Sequence, residues 1–70
     1  MRVPEAGYCV ALRGGGDYVA AFAGHRAEGR ACYRAQVEAN ERREGVDVVR
    51  VLDRGSMRYI VAQVEPAVAK

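Results

Sequence analysis

The chain has no threonine and no tryptophan, and only one serine, one histidine and one lysine among 70 residues. These shortages close most routes to catalysis. A nucleophilic mechanism needs Ser, Thr or Cys beside a base, and the only pairing worth testing is Cys32 with His25. Those two lie seven positions apart, which on a helix is about 10 Å and beyond hydrogen-bond reach. Cys9, Cys32 and His25 also fall short of a structural zinc site, which takes four ligands and usually close cysteine pairs. Neither a metal nor a cofactor is expected. Asp17, Asp47 and Asp53 sit beside turns or strand ends, where aspartate is ordinary. Paired-carboxylate chemistry needs a concave pocket that so short a chain rarely offers. The expectation is a protein that binds and does not catalyse.

Long apolar runs are missing too. Val19 to Ala23 is far too short to cross a bilayer, and no signal-peptide pattern is present. With only two cysteines, a cytoplasmic protein with free thiols is expected. A Cys9–Cys32 disulfide stays open if the helix packs over the first strand. Large apolar side chains are scarce: two Leu, one Ile and one Phe against twelve Ala, within a hydrophobic share of 50%. Burial stabilises by about 25 cal/mol per Å², so alanine contributes little and the core is thin. A second copy or a partner protein is expected to complete it, with a homodimer as one form.

What is present is arginine, glycine and valine. Ten of the eleven basic residues are Arg, and the net charge is +2. That is mild for a dedicated nucleic-acid binder, which carries a denser basic stripe. Gly14-Gly15-Gly16 suggests a phosphate loop, but Asp17 and a strand follow where Lys, Ser or Thr and a helix should stand. The glycines read instead as a hairpin turn.

The apolar spacing gives the order of elements. Tyr8 to Arg13 and Tyr18 to Ala23 read as a first hairpin, and Val46 to Asp53 and Met57 to Val64 as a second. Between them Arg26 to Arg43 reads as a helix. Gly24 or His25 stands near its N-cap, Glu28 in its first turn, and Gly45 beyond its end as a C′ residue. Gly29, Cys32, Tyr33, Gln36, Ala39 and Asn40 form the expected buried stripe, with close helix–sheet approach as the reason for Gly29. Arg30, Arg34, Glu38 and Glu41 mark the solvated face, with Arg34–Glu38 and Glu38–Arg42 as i,i+4 pairs. Residues 1–6 read as an extended leader and 66–70 as a frayed tail. The expected fold is one α+β domain of the form ββαββ. It has a small, mainly antiparallel sheet with one helix packed on a face.

In the first strand Tyr8, Val10 and Leu12 alternate with Cys9, Ala11 and Arg13. In the second, Tyr18, Ala20 and Phe22 alternate with Val19, Ala21 and Ala23. In the last, Tyr59 and Val61 alternate with Ile60, Ala62 and Val64. Both faces of the last hairpin are apolar, and one helix covers only one of them. The other face is expected to meet a partner. Arg13, Arg50, Arg54, Arg58 and Tyr59 are the candidate contact residues, since Arg and Tyr are enriched at binding hot spots. The alternative use of the same residues is phosphate contact and base stacking in a nucleic-acid regulator.

Gly7 to Leu12 through Gly16 to Phe22 resembles the first hairpin of HicB-type antitoxins. The Pro/Gly/Cys segment that follows in that family is absent here, and no functional residue carries over. The helix-to-hairpin half, Ala27 to Val64, resembles small phage-encoded anti-CRISPR inhibitors in element order and in Val/Gly spacing. That resemblance implies a phage or mobile-element inhibitor that occupies the surface of a host protein complex. A structural homo-oligomer is the remaining alternative.

Overall fold

The computed structural model describes residues 3–14 and 16–67. The elements are β1 (Gly7–Leu12), β2 (Tyr18–Phe22), α1 (Ala27–Arg42), β3 (Val46–Leu52) and β4 (Met57–Val64). A short 3-10 turn at Asp53–Gly55 joins the last two strands. The fold is α+β: one open, wholly antiparallel sheet in the order β2-β1-β3-β4, with α1 on one face. The helix carries the chain from edge strand β2 past β1 to β3. The two hairpins therefore join through the central β1–β3 ladder, which runs from Gly7↔Val51 to Leu12↔Val46.

The helix-side core is built from small residues. Val10, Ala20, Val46 and Val48 meet Ala31, Ala35 and Ala39. The largest side chain that is fully buried is valine. Ala27, Ala31, Ala35 and Ala39 recur every fourth position and form one ridge facing the sheet. This corrects the stripe expected from Gly29, Tyr33, Gln36 and Asn40. Tyr33 is 75% exposed, and Gly29 is exposed with nothing within 4 Å of where a Cβ would stand. Close approach to the sheet is therefore not what Gly29 provides. The physical reason for the rotated face is contact distance: an alanine ridge lets the helix backbone settle on the sheet, where a tyrosine would hold it off.

Glu38, expected on the solvated face, is buried. Its carboxylate accepts from Arg34 Nε at 2.8 Å and Arg42 Nε at 2.9 Å. The hydrogen bond from Arg42, then that from Arg34, holds its carboxyl below the ordinary value of 4.5. Both ends of the helix are closed by arginines in the left-handed region, Arg26 at φ 60° and Arg43 at φ 59°. Arg43, not Gly45, makes the terminating turn, with its N–H donating to Ala39 O at 2.7 Å. Gly45 has another use, because a Cβ there would collide with the Arg13 guanidinium.

Two bulges break the expected alternation. Val10 faces Ala20 while Ala11 faces Tyr18, so Val19 has no opposite number. Tyr18 is thereby turned to the face away from the helix, and Val19 packs on the helix side. Val48 faces Ala62 while Val49 faces Ile60, which leaves Val61 as the extra residue of β4. Ala62 and Val64 join the helix-side core, whereas Ile60 is 56% exposed beside Val49. Bulges of this kind re-aim side chains at sheet edges. After β4, Gln36 Nε2 donates to Glu65 O at 3.0 Å, and the Ala67 N–H donates to Asn40 Oδ1 at 2.8 Å. Pro66 and Ala67 are thus tied to α1, not frayed. The rest of the expected tail, 68–70, and positions 1–2 of the leader lie outside the described residues.

Candidate interaction surface

The face away from the helix has its own small cluster, Cys9, Ala11, Val49 and Val51, with Val3, Tyr18 and Ala21 packed around it. Small residues in β1 and β3 leave room for two long side chains to lie across them. Arg58 reaches from β4, placing its guanidinium 5.7 Å from the centre of the Tyr18 ring. Its Nη1 lies 3.4 Å from Tyr18 Oη, and its Nε donates to Gly55 O at 2.7 Å. Arg58 and Tyr18 therefore roof the second cluster from within the chain. Burial beneath them pushes the Cys9 thiol up, and Arg58 offsets part of that shift. Cys9 belongs to this face and Cys32 to the helix-side packing, and both are free thiols.

The structure does not bring the five candidate residues into one patch. Arg58 is committed to Tyr18 and Gly55. Arg13 is a clamp at the far end of the sheet: it hydrogen-bonds Glu65 beyond β4 and lies 3.5 Å from Asp47 of β3. Glu65 first, then Asp47, holds its guanidinium above the ordinary arginine value. Asp47 Oδ1 is buried and accepts no hydrogen bond among the described residues, so the Arg13 contact is an ion pair only.

Arg50, Arg54 and Tyr59 do gather at one end. Arg54 stands exposed at the tip of the β3–β4 turn with φ 57°. Arg50 faces Tyr8 on one side and Tyr59 on the other, while Tyr8 faces Phe22. One ladder row thus reads Phe22, Tyr8, Arg50, Tyr59 across all four strands. The Arg50 guanidinium lies 5.9 Å from the Tyr8 ring centre, and Arg30 of α1 lies 5.5 Å from that of Phe22. Sequence reasoning paired Arg50 with Tyr59 but missed Tyr8 and Phe22. Only the strand order, which puts β1 beside β3, makes the row.

Strand β4 carries most of the exposed large apolar side chains of the described residues. Met57, Tyr59, Ile60 and Val61 are 44–56% exposed, all on β4. This strand is eight residues long and forms an edge of the sheet. Its one charged side chain, Arg58, is solvent-exposed but lies back over the sheet against Tyr18. Around the opposite edge, Phe22, Arg26, Gly29, Arg30 and Tyr33 line a groove of about 750 Å³. Among the described residues no three His, Cys, Asp or Glu gather where a metal could be held. No helix among them is long and apolar enough to cross a membrane. Comparison with protein-family models, with curated proteins and with solved structures gave no match.

Proposed function

We propose that this protein is a non-enzymatic binding module that docks on a partner protein through β4 and the adjoining Arg50, Arg54 and Tyr59. One observation carries the reading. The largest fully buried side chains are valines, while Met57, Tyr59, Ile60 and Val61 stand in solvent along a long edge strand, Tyr59 on the helix side and Ile60 on the opposite face. A long edge strand with four exposed apolar side chains, and its single charge drawn over the sheet onto Tyr18, is a template for another chain. Aromatic residues and arginine are the groups that anchor protein interfaces. Such a module acts by occupying a surface, as in the phage-encoded inhibitors its element order resembles. A cytoplasmic inhibitor or regulator of a host protein complex is the role we assign.

The Phe22–Tyr8–Arg50–Tyr59 row favours a second reading, a platform for single-stranded nucleic acid, in which bases stack on the rings and arginines meet phosphates. Affinity capture from a bacterial lysate with and without nuclease separates the two. The protein-binding reading expects a stoichiometric partner that survives nuclease and is lost with Ile60→Lys, while Arg13→Ala retains it. Recovery that depends on nucleic acid and weakens steeply with salt supports the platform instead. A stable complex of identical chains that is also broken by Ile60→Lys makes the partner a second copy.

A further inference from the structure

Gly29 is the least explained residue of the fold. It lies within α1, where glycine is less favourable than alanine. Its backbone is not among those with positive φ, and nothing lies within 4 Å of a Cβ built on it. Neither a turn nor a close packing contact requires glycine there. The open space it leaves is the floor of the groove at the β2 edge, about 750 Å³ in extent.

Gly29 and Tyr33 are four residues apart on α1 and so share one face. Arg26 at the N-cap and Arg30 in the first turn border the same groove. Tyr33 is 75% exposed, the most exposed of the large hydrophobic side chains on the described surface. Phe22 forms the far wall, with the Arg30 guanidinium 5.5 Å from its ring centre. Arg30 Nη1 donates to His25 O at 3.4 Å, and its remaining N–H groups are left for an acceptor. Arg34 also borders the groove but is engaged by Glu38 at 2.8 Å. The surface therefore offers a ring, a flat floor without a side chain, and two cations beside them. A ligand matching that order carries a flat ring and an adjacent anion.

We propose that this groove binds a phosphorylated nucleoside, with the base lying over Gly29 against Tyr33 and the phosphate held by Arg26 and Arg30. The site lies away from β4 and does not depend on the protein-binding reading. The nucleotide is either free or one unit of a single strand, since both present the same base and phosphate.

The test is amide chemical-shift mapping of the intact protein with adenosine 5′-monophosphate, inorganic phosphate and a short oligothymidylate as probes. The expected result is a shift of Gly29, Arg30, Tyr33 and Phe22 amides with the nucleotide, larger than with phosphate alone. Gly29→Ala should keep or raise the melting temperature and weaken nucleotide binding about tenfold or more, the scale of one lost base-stacking contact. Tyr33→Ala should weaken it comparably. Equal affinity for mononucleotide and oligonucleotide assigns the free ligand. Tighter, salt-sensitive oligonucleotide binding at the same amides assigns the strand. Binding unchanged in Gly29→Ala, or groove amides that respond no more to the nucleotide than to phosphate, overturns the proposal.

Discussion

Arg58 separates packing from recognition, because the sequence offered it as a contact residue and the fold uses it as a roof. Replacing it with alanine removes the stack on Tyr18 and the hydrogen bond to Gly55 O. An exposed cation–π contact contributes about 0.5–1 kcal/mol. A hydrogen bond from a charged donor contributes about 1.5–3 kcal/mol, and less where solvent competes, as it does here. The combined loss is about 1–2 kcal/mol. A chain of this length has a total stability of roughly 3.5–10 kcal/mol, so the change is a sizeable share. It corresponds to a fall in melting temperature of about 5–15 °C. Arg50→Ala removes only the stack on Tyr8 and is expected to cost about 0.5–1 kcal/mol. Thermal and urea denaturation followed by circular dichroism measure both variants, and partner capture is run on each. Arg58→Ala should melt early yet retain the partner, and Arg50→Ala should melt near the wild type yet lose it. An Arg58→Ala protein with wild-type stability and no partner binding refutes the assignment.

Further outcomes follow from other positions. Gly7→Ala should fail to fold, because a Cβ there collides with the Phe22 carbonyl oxygen of the neighbouring strand; a cooperative melt near that of the wild type contradicts this. Glu38 has a folded-state pKa below 4.5, so its ion-pair stabilisation is complete above that value and is lost as pH falls through the folded one. Two i,i+4 pairs contribute less than about 1 kcal/mol together. Wild-type stability should therefore drop more steeply below pH 4.5 than that of Glu38→Gln, as read by urea titration at stepped pH. Iodoacetamide should label half-buried Cys32 well before Cys9, which is buried and has its thiol pushed up; mass spectrometry of peptides shows the order, and faster labelling of Cys9 contradicts the roof of Tyr18 and Arg58.

Element order was legible in the chain because turn glycines and alternating valines are local signals. Residue faces were legible in β1, where Tyr8, Val10 and Leu12 pack on the helix side and Cys9 and Ala11 on the other, but not throughout β2, β4 and α1, for two physical reasons. A bulge shifts every later side chain of its strand, and nothing in Tyr18-Val19-Ala20 or Ile60-Val61-Ala62 marks Val19 or Val61 as the extra residue. On the helix, hydrophobicity misled. The expected buried stripe includes Tyr33 and omits Ala31 and Ala35, but contact distance favours the small residues. Part of the candidate surface failed for a related reason. Arg13, Arg50, Arg54 and Arg58 look alike in sequence. Only the placement of Asp47, Glu65, Tyr18 and Gly55 shows that two of the four are already engaged. The Tyr8–Arg50 contact needs β1 and β3 as neighbours, and local spacing carries no signal for that pairing.

The central claim is that β4 receives the partner, and amide hydrogen exchange of the free and partner-bound protein tests it most directly. Half of the backbone groups of an edge strand have no ladder partner, so β4 should exchange quickly in the free chain. Strong protection is expected over Met57–Val64 in the complex, with the amides of α1 unchanged. Protection confined to α1 or β2, with β4 exchanging as freely as before, contradicts it.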